Sequence, residues 1–392
     1  MNYILFDGSV RNSLLPFTYT RPVADIRIGI LTIREKWEML LSEKTSTLTK
    51  SYLQEKFPLN DTSDRIMIDA SFLPTVALAK IVSELKENES VYYNEQMIAA
   101  HSVEHQEEFD VKNYKKIQFE EALLQIKNTW DIFSLNAQAI ELDFDLITKG
   151  RSSAAIPDYV QVQNPDRIFI EEGATIHFSS LNATDGAIYI GKNTTVMEGS
   201  LIRGGFALCE SATVKMGAKI YGATTIGPHS KVGGELNNVV IFGYSNKGHD
   251  GFLGNAVIGE WCNIGADSNN SNLKNNYAEV RLWSYETEGF AKTGLQFCGL
   301  MMGDHSKCGI NTMFNTGTVI GVSANIYGSN FPRNFIPSFS WGGAAGFTNY
   351  QMRKVKEVAT VVMVRRKIEF DAVEERILEH VYELSSKWRK NY

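Results

Sequence analysis

The fold is decided by residues 190–232, which read IGKNTTVMEGSLIRGGFALCESATVKMGAKIYGATTIGPHSKV. Every sixth residue of this stretch is apolar, and the frame is unbroken through Ile190, Val196, Ile202, Leu208, Val214, Ile220, Ile226 and Val232. A helix has a period of about 3.6 and a plain strand a period of about 2, whereas short strands separated by turns repeat every six residues. The stretch therefore predicts a parallel β-helix in which each sixth side chain points inward.

The same frame returns further along the chain, so we expect the β-helix to extend over residues 165–341. It is marked there by Ile258, Ile264, Met302, Cys308, Phe314, Ile320 and Ile326. Residues 235–252 and 266–298 leave the frame, and we expect them to be loops extruded from the coils. Insertions of this kind often carry the functional site of a repeat protein.

The regions that flank the repeat have patterns of their own. In residues 1–128, apolar runs alternate with helical stretches, which is typical of an α/β domain. The runs are Tyr3–Phe6, Arg65–Asp69 and Ser90–Tyr93, and the helical stretches are Ile30–Leu41 and Leu73–Leu85. Residues 129–164 are predicted to be a linker with a helix from Trp130 to Ile147. Residues 342–392 contain an amphipathic helical segment, Tyr350–Trp388, expected to pack on the β-helix or on a neighbouring subunit.

Composition excludes several classes of function. The net charge is −6 and no basic block is present, so the surface lacks the concentrated Lys and Arg that nucleic acid requires. No run of about 18 uncharged apolar residues exists to cross a bilayer, and the first residues lack the pattern of a signal peptide. We expect a cytoplasmic protein with neither a membrane nor a nucleic-acid partner. A zinc site is not expected either, because no CxxC pair occurs among Cys209, Cys262, Cys298 and Cys308.

The most specific stretch for function starts at Lys247 and reads KGHDGFLGNAVIGEWCNIGA, followed by SNLK at 271–274. It contains Gly-His, an aromatic-Leu-Gly that begins three residues after the histidine, and Asn-Ile-Gly-Ala, with a further asparagine nine residues after the first. The pattern resembles the acetyltransferase half of the bifunctional N-acetylglucosamine-1-phosphate uridyltransferase/glucosamine-1-phosphate acetyltransferase, a hexapeptide-repeat enzyme. The resemblance implies a left-handed β-helix, an acyltransferase that uses acetyl-CoA as co-substrate, and a homotrimer with its acyl-CoA clefts between subunits.

The resemblance also implies roles for individual residues. His249 would be the general base that takes a proton from the acceptor amine or hydroxyl, a task for which histidine is the commonest residue. Phe252 would stand in the place of a substrate-contacting tyrosine. The thioester would enter at Ala266, and the remaining substrate contacts would be Asn263, Asn272 and the candidate phosphate ligand Lys274.

Other interpretations stay open for the same residue types. Asn263 and Asn272 would also suit β-helix corners, because asparagine tolerates the left-handed backbone conformation. His229 and His305 lack a surrounding pattern and are interpreted as solvated loop histidines. Three glycines are interpreted as corners rather than ligand contacts: Gly254, Gly259 and Gly265.

The amino-terminal segment carries a second candidate site. It reads ILFDGSVR at 4–11, LPFT at 15–18 and RP at 21–22. This resembles the opening of sugar-1-phosphate nucleotidyltransferases, in which a glycine-rich loop binds the nucleotide phosphates through its amides. The resemblance implies nucleotide contacts for Gly8, Arg11 and Arg21. Asp69 is either a metal carboxylate for Mg²⁺ or the cap of the helix predicted near Leu73.

Three functions follow from these patterns. The first is acyl transfer to a sugar phosphate or nucleotide sugar with His249 as base. The alternative is sugar-1-phosphate nucleotidyl transfer in the first domain, with the β-helix used for oligomerisation or regulation. The third is a non-enzymatic sensor or scaffold that binds nucleotide sugar. The order of domains also resembles a bacterial group of sugar nucleotidyltransferase-like proteins related to the bifunctional enzyme.

Overall fold

The amino-terminal domain is built around one mixed sheet in the order β2-β1-β3-β5-β4-β6. The structure is a computed structural model that describes residues 2–60, 64–102 and 113–389. Strand β1 pairs in parallel with β2 and with β3, so the carboxyl ends of these three strands share one edge of the sheet. The elements of the domain are β1 (Asn2–Phe6), α1 (Ile33–Leu41), β2 (Thr45–Leu48), β3 (Arg65–Asp69), α2 (Val76–Ser83), β4 (Glu89–Tyr93), β5 (Gln96–Ser102), β6 (Lys115–Gln118), α3 (Asp131–Ser134) and α4 (Asn136–Thr148).

Capping side chains decide where the first two helices begin. The hydroxyl of Thr32 accepts a hydrogen bond from the Glu35 N–H, and the Glu35 carboxylate accepts one from the Thr32 N–H. This reciprocal pair satisfies two amides that the helix itself leaves free. Thr75 caps α2 in a similar way by accepting from the Leu78 N–H at 3.1 Å. Both helices therefore begin three residues later than their apolar patterns predicted.

The β-helix consists of short strands that pair in parallel from coil to coil, apart from the hairpin β24–β25 and the closing pair β32–β33. The strands are β7 (Gln161–Gln163), β8 (Ile168–Ile170), β9 (Thr175–Ile176), β10 (Ser180–Asn182), β11 (Ile188–Ile190), β12 (Thr195–Val196), β13 (Leu201–Arg203), β14 (Phe206–Leu208), β15 (Thr213–Val214), β16 (Lys219–Tyr221), β17 (Thr224–Ile226), β18 (Lys231–Val232), β19 (Glu235–Gly243), β20 (Asn246–Lys247), β21 (Phe252–Glu260), β22 (Asn263–Ile264), β23 (Asn269–Asn270), β24 (Arg281–Ser284), β25 (Gly289–Lys292), β26 (Leu300–Met302), β27 (Lys307–Cys308), β28 (Met313–Phe314), β29 (Thr318–Ile320), β30 (Asn325–Ile326), β31 (Phe335–Ile336), β32 (Ser340–Gly343) and β33 (Gly346–Asn349).

These strands stack into three faces. The first face contains β8, β11, β14, β17, β26, β29 and β31, and the second contains β9, β12, β15, β18, β20, β22, β27, β30 and β32. The third face contains β7, β10, β13 and β16 and continues into β23 and β28. Strands β19 and β21 turn the corner from the third face to the first, which joins those two faces into one sheet. The predicted left-handed parallel β-helix is thereby confirmed.

The six-residue frame corresponds to the inward side chains of the coils. All eight apolar residues of the frame between Ile190 and Val232 are buried, with exposed fractions of 2% or less. They form one hydrophobic core together with the frame residues further along the chain, including Ile258 and Ile326. Because each coil stacks the same inward position on the last one, the repeat in sequence becomes a column of packed side chains.

One of the two predicted loops is absent and the other is present. Residues 235–243 form β19, which pairs with β16, β17 and β21, so the prediction of an extruded loop over residues 235–252 was wrong. The frame fails there because one coil is short: Val214 pairs with Val232 eighteen residues later, but Val232 pairs with Lys247 after only fifteen. Within residues 266–298, β23 still belongs to a coil, and the hairpin β24–β25 forms the excursion.

Two of the three faces are covered by other parts of the chain. The amino-terminal domain lies on the first face, where Arg27 Nε donates to the Phe242 carbonyl at 3.0 Å and Asn136 Nδ2 donates to the Ala223 carbonyl at 3.0 Å. The tail forms α5 (Met352–Val364) and α6 (Ala372–Leu384). Helix α5 packs on the second face, and α6 reaches the amino-terminal domain, where His380 stacks on Tyr52 with ring centroids 4.2 Å apart.

Within residues 2–60, 64–102 and 113–389, no helix combines the length and the apolar character that crossing a bilayer requires.

Candidate functional site

His249 lies on the edge where the second face turns into the third face. Strand β20 ends at Lys247 and β21 begins at Phe252, and the turn between them exposes His249 and Asp250 to solvent. Asn246 pairs with Asn263 on the next coil, so this register puts Ala266 at the position equivalent to His249. The predicted base and the predicted point of thioester entry are therefore neighbours on adjacent coils.

A shallow cleft of about 230 Å³ opens beside the His249 side chain. Gly234 in its lining has a φ of 73°, and a Cβ there would lie 2.8 Å from the Gly251 carbonyl oxygen and 2.9 Å from that of His249. Only glycine fits such an approach. The cleft is lined by Met197, Lys215, Met216, Gly233, Gly234, Gly248, His249 and Asp250.

Lys247 occupies an inward position of the β-helix, two residues before the candidate base. It stacks on Val232 and is only 2% exposed. Its Nζ donates to the main-chain carbonyl of His249, which ties the exposed turn to the interior. Burial lowers the pKa of Lys247 to about 8, although the nearby Asp250 opposes the shift. Sequence reasoning missed this lysine, because the short coil removes its position from the frame.

We expect the Lys247→Met variant to be more stable than the wild type at pH 7 and to lose most of that advantage at pH 10.5. Between pH 8 and 10.5 the unfolded chain binds more protons than the folded chain at this site, so the wild type gains stability as the pH rises through this window. The shift corresponds to at most about 3 kcal/mol. Denaturant unfolding at both pH values measures the effect. Lys219→Met, at an exposed lysine, is the control, and equal behaviour of the two variants would contradict the prediction.

Phe252 and Asn272 lie together on the third face, beyond the His249 edge. The Phe252 ring covers Gly254, where a Cβ would lie 2.4 Å from the ring and 2.8 Å from Asn272 Nδ2. Asn272 Nδ2 also donates to Asn255 Oδ1 at 2.8 Å. Asn255 has a φ of 45°, so it occupies the corner between the third and first faces. Asn272 therefore lies at the far end of the face from His249.

Asn263 and Lys274 lie apart from that pair. Asn263 is exposed on the second face, on the strand that leads into the corner with Ala266. Lys274 is half-buried in the excursion before β24, and its Nζ donates to the Glu279 carbonyl at 2.8 Å. Within one protomer, the structure thus brings His249 and Ala266 together and distributes the other predicted substrate contacts over two faces and the excursion before β24.

Two of the amino-terminal candidates, Gly8 and Arg11, line a second cleft of about 420 Å³ at the carboxyl ends of β1 and β2. Gly8 begins its loop with a φ of 61°, and a Cβ there would lie 3.0 Å from Asp69 Oδ1. Exposed Lys50 supplies a cation that sequence reasoning missed, because no motif surrounds it. The cleft is lined by Phe6, Asp7, Gly8, Ser9, Arg11, Asn12, Leu48, Thr49 and Lys50.

Arg11 reaches this cleft but uses its nitrogens within the protein. Nε lies 3.3 Å from Asp7 Oδ2, and the two terminal nitrogens donate to the Thr18 carbonyl at 2.6 Å and to the Tyr52 hydroxyl at 3.0 Å. The residue is 6% exposed. Because these contacts involve all three nitrogens, Arg11 connects neighbouring segments of the cleft wall.

Asp7 and Asp69 form a buried carboxylate pair beneath Gly8. Burial raises the pKa of both carboxyl groups, and the charge of Asp7 raises that of Asp69 further. Asp69 accepts from the Ser71 N–H at 2.9 Å, whereas α2 is capped by Thr75, so the interpretation of Asp69 as a helix cap was wrong. Two neighbouring carboxylates suit Mg²⁺, which commonly uses one or two of them together with substrate phosphates. Among the described residues, no three His, Cys, Asp or Glu side chains gather as a fuller metal site.

Arg21 lies in the contact between the amino-terminal domain and the β-helix. It is 6% exposed, forms an ion pair with buried Asp304, and lies 3.3 Å from Glu260. Burial alone would lower its pKa, but the charges of Asp304 and then Glu260 raise it above the ordinary value. The structure therefore separates Arg21 from Gly8 and Arg11 and gives it an interdomain contact.

His305 is buried beside this contact, so its interpretation as a solvated histidine was wrong. It is 8% exposed, and burial lowers its pKa well below the ordinary value. Its ring follows Trp261 in a stack along one corner, with centroids 6.3 Å apart. Helix α5 covers this corner of the β-helix, which a pattern confined to residues near His305 could not reveal.

Solved structures similar to this chain include three acyltransferases. UDP-N-acetylglucosamine acyltransferase of Francisella novicida has 11% identity and a TM-score of 0.29, over 61% of this chain and 78% of that one. LpxA, a UDP-N-acetylglucosamine acyltransferase of Bacteroides fragilis, has 13% identity and a TM-score of 0.25, over 59% and 91%. The D94N mutant of AntD, an N-acyltransferase of Bacillus cereus, has 12% identity and a TM-score of 0.23, over 55% and 100%. Similarities this weak assign no activity.

The sequence comparisons concern the amino-terminal domain. No curated protein matches the chain. Residues 3–152 match the family described as sugar nucleotidyl transferase, a span that contains Asp69 and the cleft lined by Gly8 and Arg11. The chain thus combines a sugar nucleotidyl transferase-like domain with a β-helix.

Proposed function

We propose that the protein is an acyltransferase that moves an acyl group from a thioester donor, acetyl-CoA, to an amino or hydroxyl group of a sugar phosphate or nucleotide sugar. The observation that carries this proposal is the position of His249. His249 is exposed beside a cleft that three glycines help to line, and Ala266 lies at the equivalent position on the next coil.

In the proposed reaction His249 accepts the proton of the acceptor group as its nitrogen or oxygen attacks the thioester carbonyl. The new C–N or C–O bond forms, the C–S bond breaks, and the thiolate that leaves takes the proton back from the imidazolium. A positioned base contributes typically about 10²–10⁴-fold to such a step. The hydrogen bond from Lys247 to the His249 carbonyl holds the turn in place while the imidazole stays free to meet the acceptor.

The edge that carries His249 also has exposed apolar side chains that would suit contact with a second copy of the chain. The corner position of His249 is occupied by Met216 two coils before it and by Ile310 two coils after it, and each of these side chains is 69% exposed. Exposed apolar side chains that line up along one edge are typical of an interface. In the homotrimer that we propose, this edge meets a neighbouring β-helix and the shallow cleft becomes an enclosed one.

The wild-type protein tests the proposal directly. Released CoA is measured with a thiol reagent while acetyl-CoA is offered together with a panel of amino-sugar phosphates and nucleotide amino sugars, and light scattering gives the oligomeric state. We expect turnover with at least one acceptor and a trimer in solution. A monomer, or the absence of turnover across the whole panel, would contradict the proposal.

A second candidate function is sugar-1-phosphate nucleotidyl transfer in the amino-terminal cleft. It is supported by the match of residues 3–152 and by the buried pair of Asp7 and Asp69, which would hold Mg²⁺ beside the phosphates. Mg²⁺ would supply charge neutralisation there, and exposed Lys50 would contact the nucleotide.

We expect the Asp69→Asn variant to lose any pyrophosphate release that the wild type shows with nucleoside triphosphates, sugar-1-phosphates and Mg²⁺. The reason is that the amide keeps the shape of the side chain but removes its charge. Asp185→Asn, at an exposed aspartate, is the control. If the wild type releases no pyrophosphate from any pair, or if Asp69→Asn matches it, this second candidate is wrong.

A further inference from the structure

Four cationic side chains meet beside the His249 cleft, on the second face. They are defined here as the cationic cluster: Lys215, Lys231, Arg365 and Arg366. Lys231 points outward from β18, and Lys215 also lines the His249 cleft. The two arginines directly follow the last residue of α5, so the tail brings them to this face. Arg366 is held there because it donates to Asn246 Oδ1 at 3.1 Å, and Asn246 is the residue that pairs with Lys231.

The cluster has no carboxylate partner among the described residues. Within the part of the chain that the structure describes, no ion pair within 4.0 Å involves any of its four members, whereas Arg353 and Lys354 at the start of α5 both pair with Glu357 at 2.9 Å. Partial burial and three neighbouring positive charges lower the pKa of Lys231 below its ordinary value. The pKa of Arg366 is lowered by burial and by Arg365.

Assembling like charges in this way is unfavourable for the empty protein, because they repel one another at close range. A ligand that carries several negative charges would reverse the sign of this energy. Phosphate groups have this property, and arginine binds them with two parallel hydrogen bonds. The shared side chain of Lys215 connects the cluster to the cleft in which His249 lies.

We propose that the cationic cluster binds the phosphate groups of a substrate whose reacting end lies at His249, so that the tail completes the substrate site. The proposal rests on the proposed function for the identity of the reacting end. The phosphates come from one of two sources. They belong either to the nucleotide part of the acyl donor or to the sugar phosphate or nucleotide sugar that accepts the acyl group.

The double variant Arg365→Ala/Arg366→Ala tests the cluster by calorimetric titration, first with inorganic pyrophosphate at low salt. We expect binding to weaken by at least about tenfold, since a charge-assisted hydrogen bond contributes about 1.5–3 kcal/mol and each 1.4 kcal/mol is a factor of ten. Lys231→Ala, which leaves the tail untouched, should weaken the same titration independently. Arg353→Ala/Lys354→Ala removes two cations from the other end of the same helix and should have no effect.

Titrations with CoA and with UDP-N-acetylglucosamine then distinguish the two sources. Weaker binding of CoA alone assigns the cluster to the donor, weaker binding of the nucleotide sugar alone assigns it to the acceptor, and weaker binding of both supports the shared phosphate chemistry. Pyrophosphate binding that is absent in the wild type, or equal in the wild type and the double variant, would overturn the proposal, as would unchanged binding of both larger ligands. Variant-sensitive binding in a protein without acyl transfer would contradict only the proposed function.

Discussion

Replacing His249 by alanine is expected to lower the rate of CoA release by at least about 100-fold, the lower end of what a positioned general base contributes. The acceptor would then have to lose its proton to water, which is a weaker base and is not held in place. Binding of acetyl-CoA should change little, because the cleft keeps its seven other lining residues, three of which are glycines. The loss should therefore appear in kcat rather than in KM.

The matched control for this variant is His177→Ala. His177 directly follows the inward residue Ile176 and so lies at the same edge of the β-helix, four coils before the coil of His249, and it does not line the cleft. The His177→Ala variant should release CoA at the wild-type rate. Circular dichroism and light scattering of both variants test whether fold and assembly persist. If His249→Ala retains the wild-type rate while both measurements are normal, His249 is not the base.

Replacing Asp304 by alanine is expected to destabilise the protein by about 3–5 kcal/mol, the cost typical of breaking a buried ion pair by removing one partner. The carboxylate is 3% exposed and accepts from Arg21, from the Thr20 hydroxyl at 2.6 Å and from the Glu260 N–H at 2.8 Å. Without it, the Arg21 guanidinium stays buried with only Glu260 nearby. Denaturant unfolding at pH 7 measures the loss.

A double variant distinguishes the cost of leaving Arg21 unpaired from the loss of packing around Asp304. In Arg21→Met/Asp304→Ala the stranded positive charge is also removed, so we expect the double variant to be more stable than Asp304→Ala alone. Arg203→Ala, which breaks an exposed pair with Asp185, is the control and should cost less than about 1 kcal/mol. An Asp304→Ala variant no less stable than this control would show that the interdomain contact contributes nothing.

The β-helix was predictable because its determinant is local and repeated. Each inward residue between Ile190 and Val232 follows the last by six positions, and the structure buries all of them. The six-residue frame did not predict the coil that ends at Lys247. This coil is three residues shorter than the one before it, which shifts the later inward positions out of the frame, and its inward residue is a lysine instead of an apolar residue. A stretch that keeps its fold but changes its coil length therefore looks like a loop in the sequence.

The candidate site was predictable only in part, for a related reason. The motif around His249 spans two adjacent coils, and the sequence named Ala266 only through the resemblance, whereas the register that puts Ala266 beside His249 comes from the structure. The partner of Arg21, in contrast, is Asp304, 283 positions away. The run Arg365-Arg366 was visible as charge on a helical segment, but nothing local indicates that the tail folds back to meet Lys231.

The amino-terminal domain on the first face affects how the β-helix unfolds. In an unsupported solenoid each coil touches only its two neighbours, so unravelling can start at either end and proceed coil by coil. Here the amino-terminal domain contacts the central coils through two hydrogen bonds and one ion pair. They join Arg27 to Phe242, Asn136 to Ala223 and Arg21 to Asp304. The central coils can therefore unfold only when the contacts with that domain break, so the coils and the domain form one cooperative unit. The exposed first strand, Gln161–Gln163, lies outside these contacts and can fray independently.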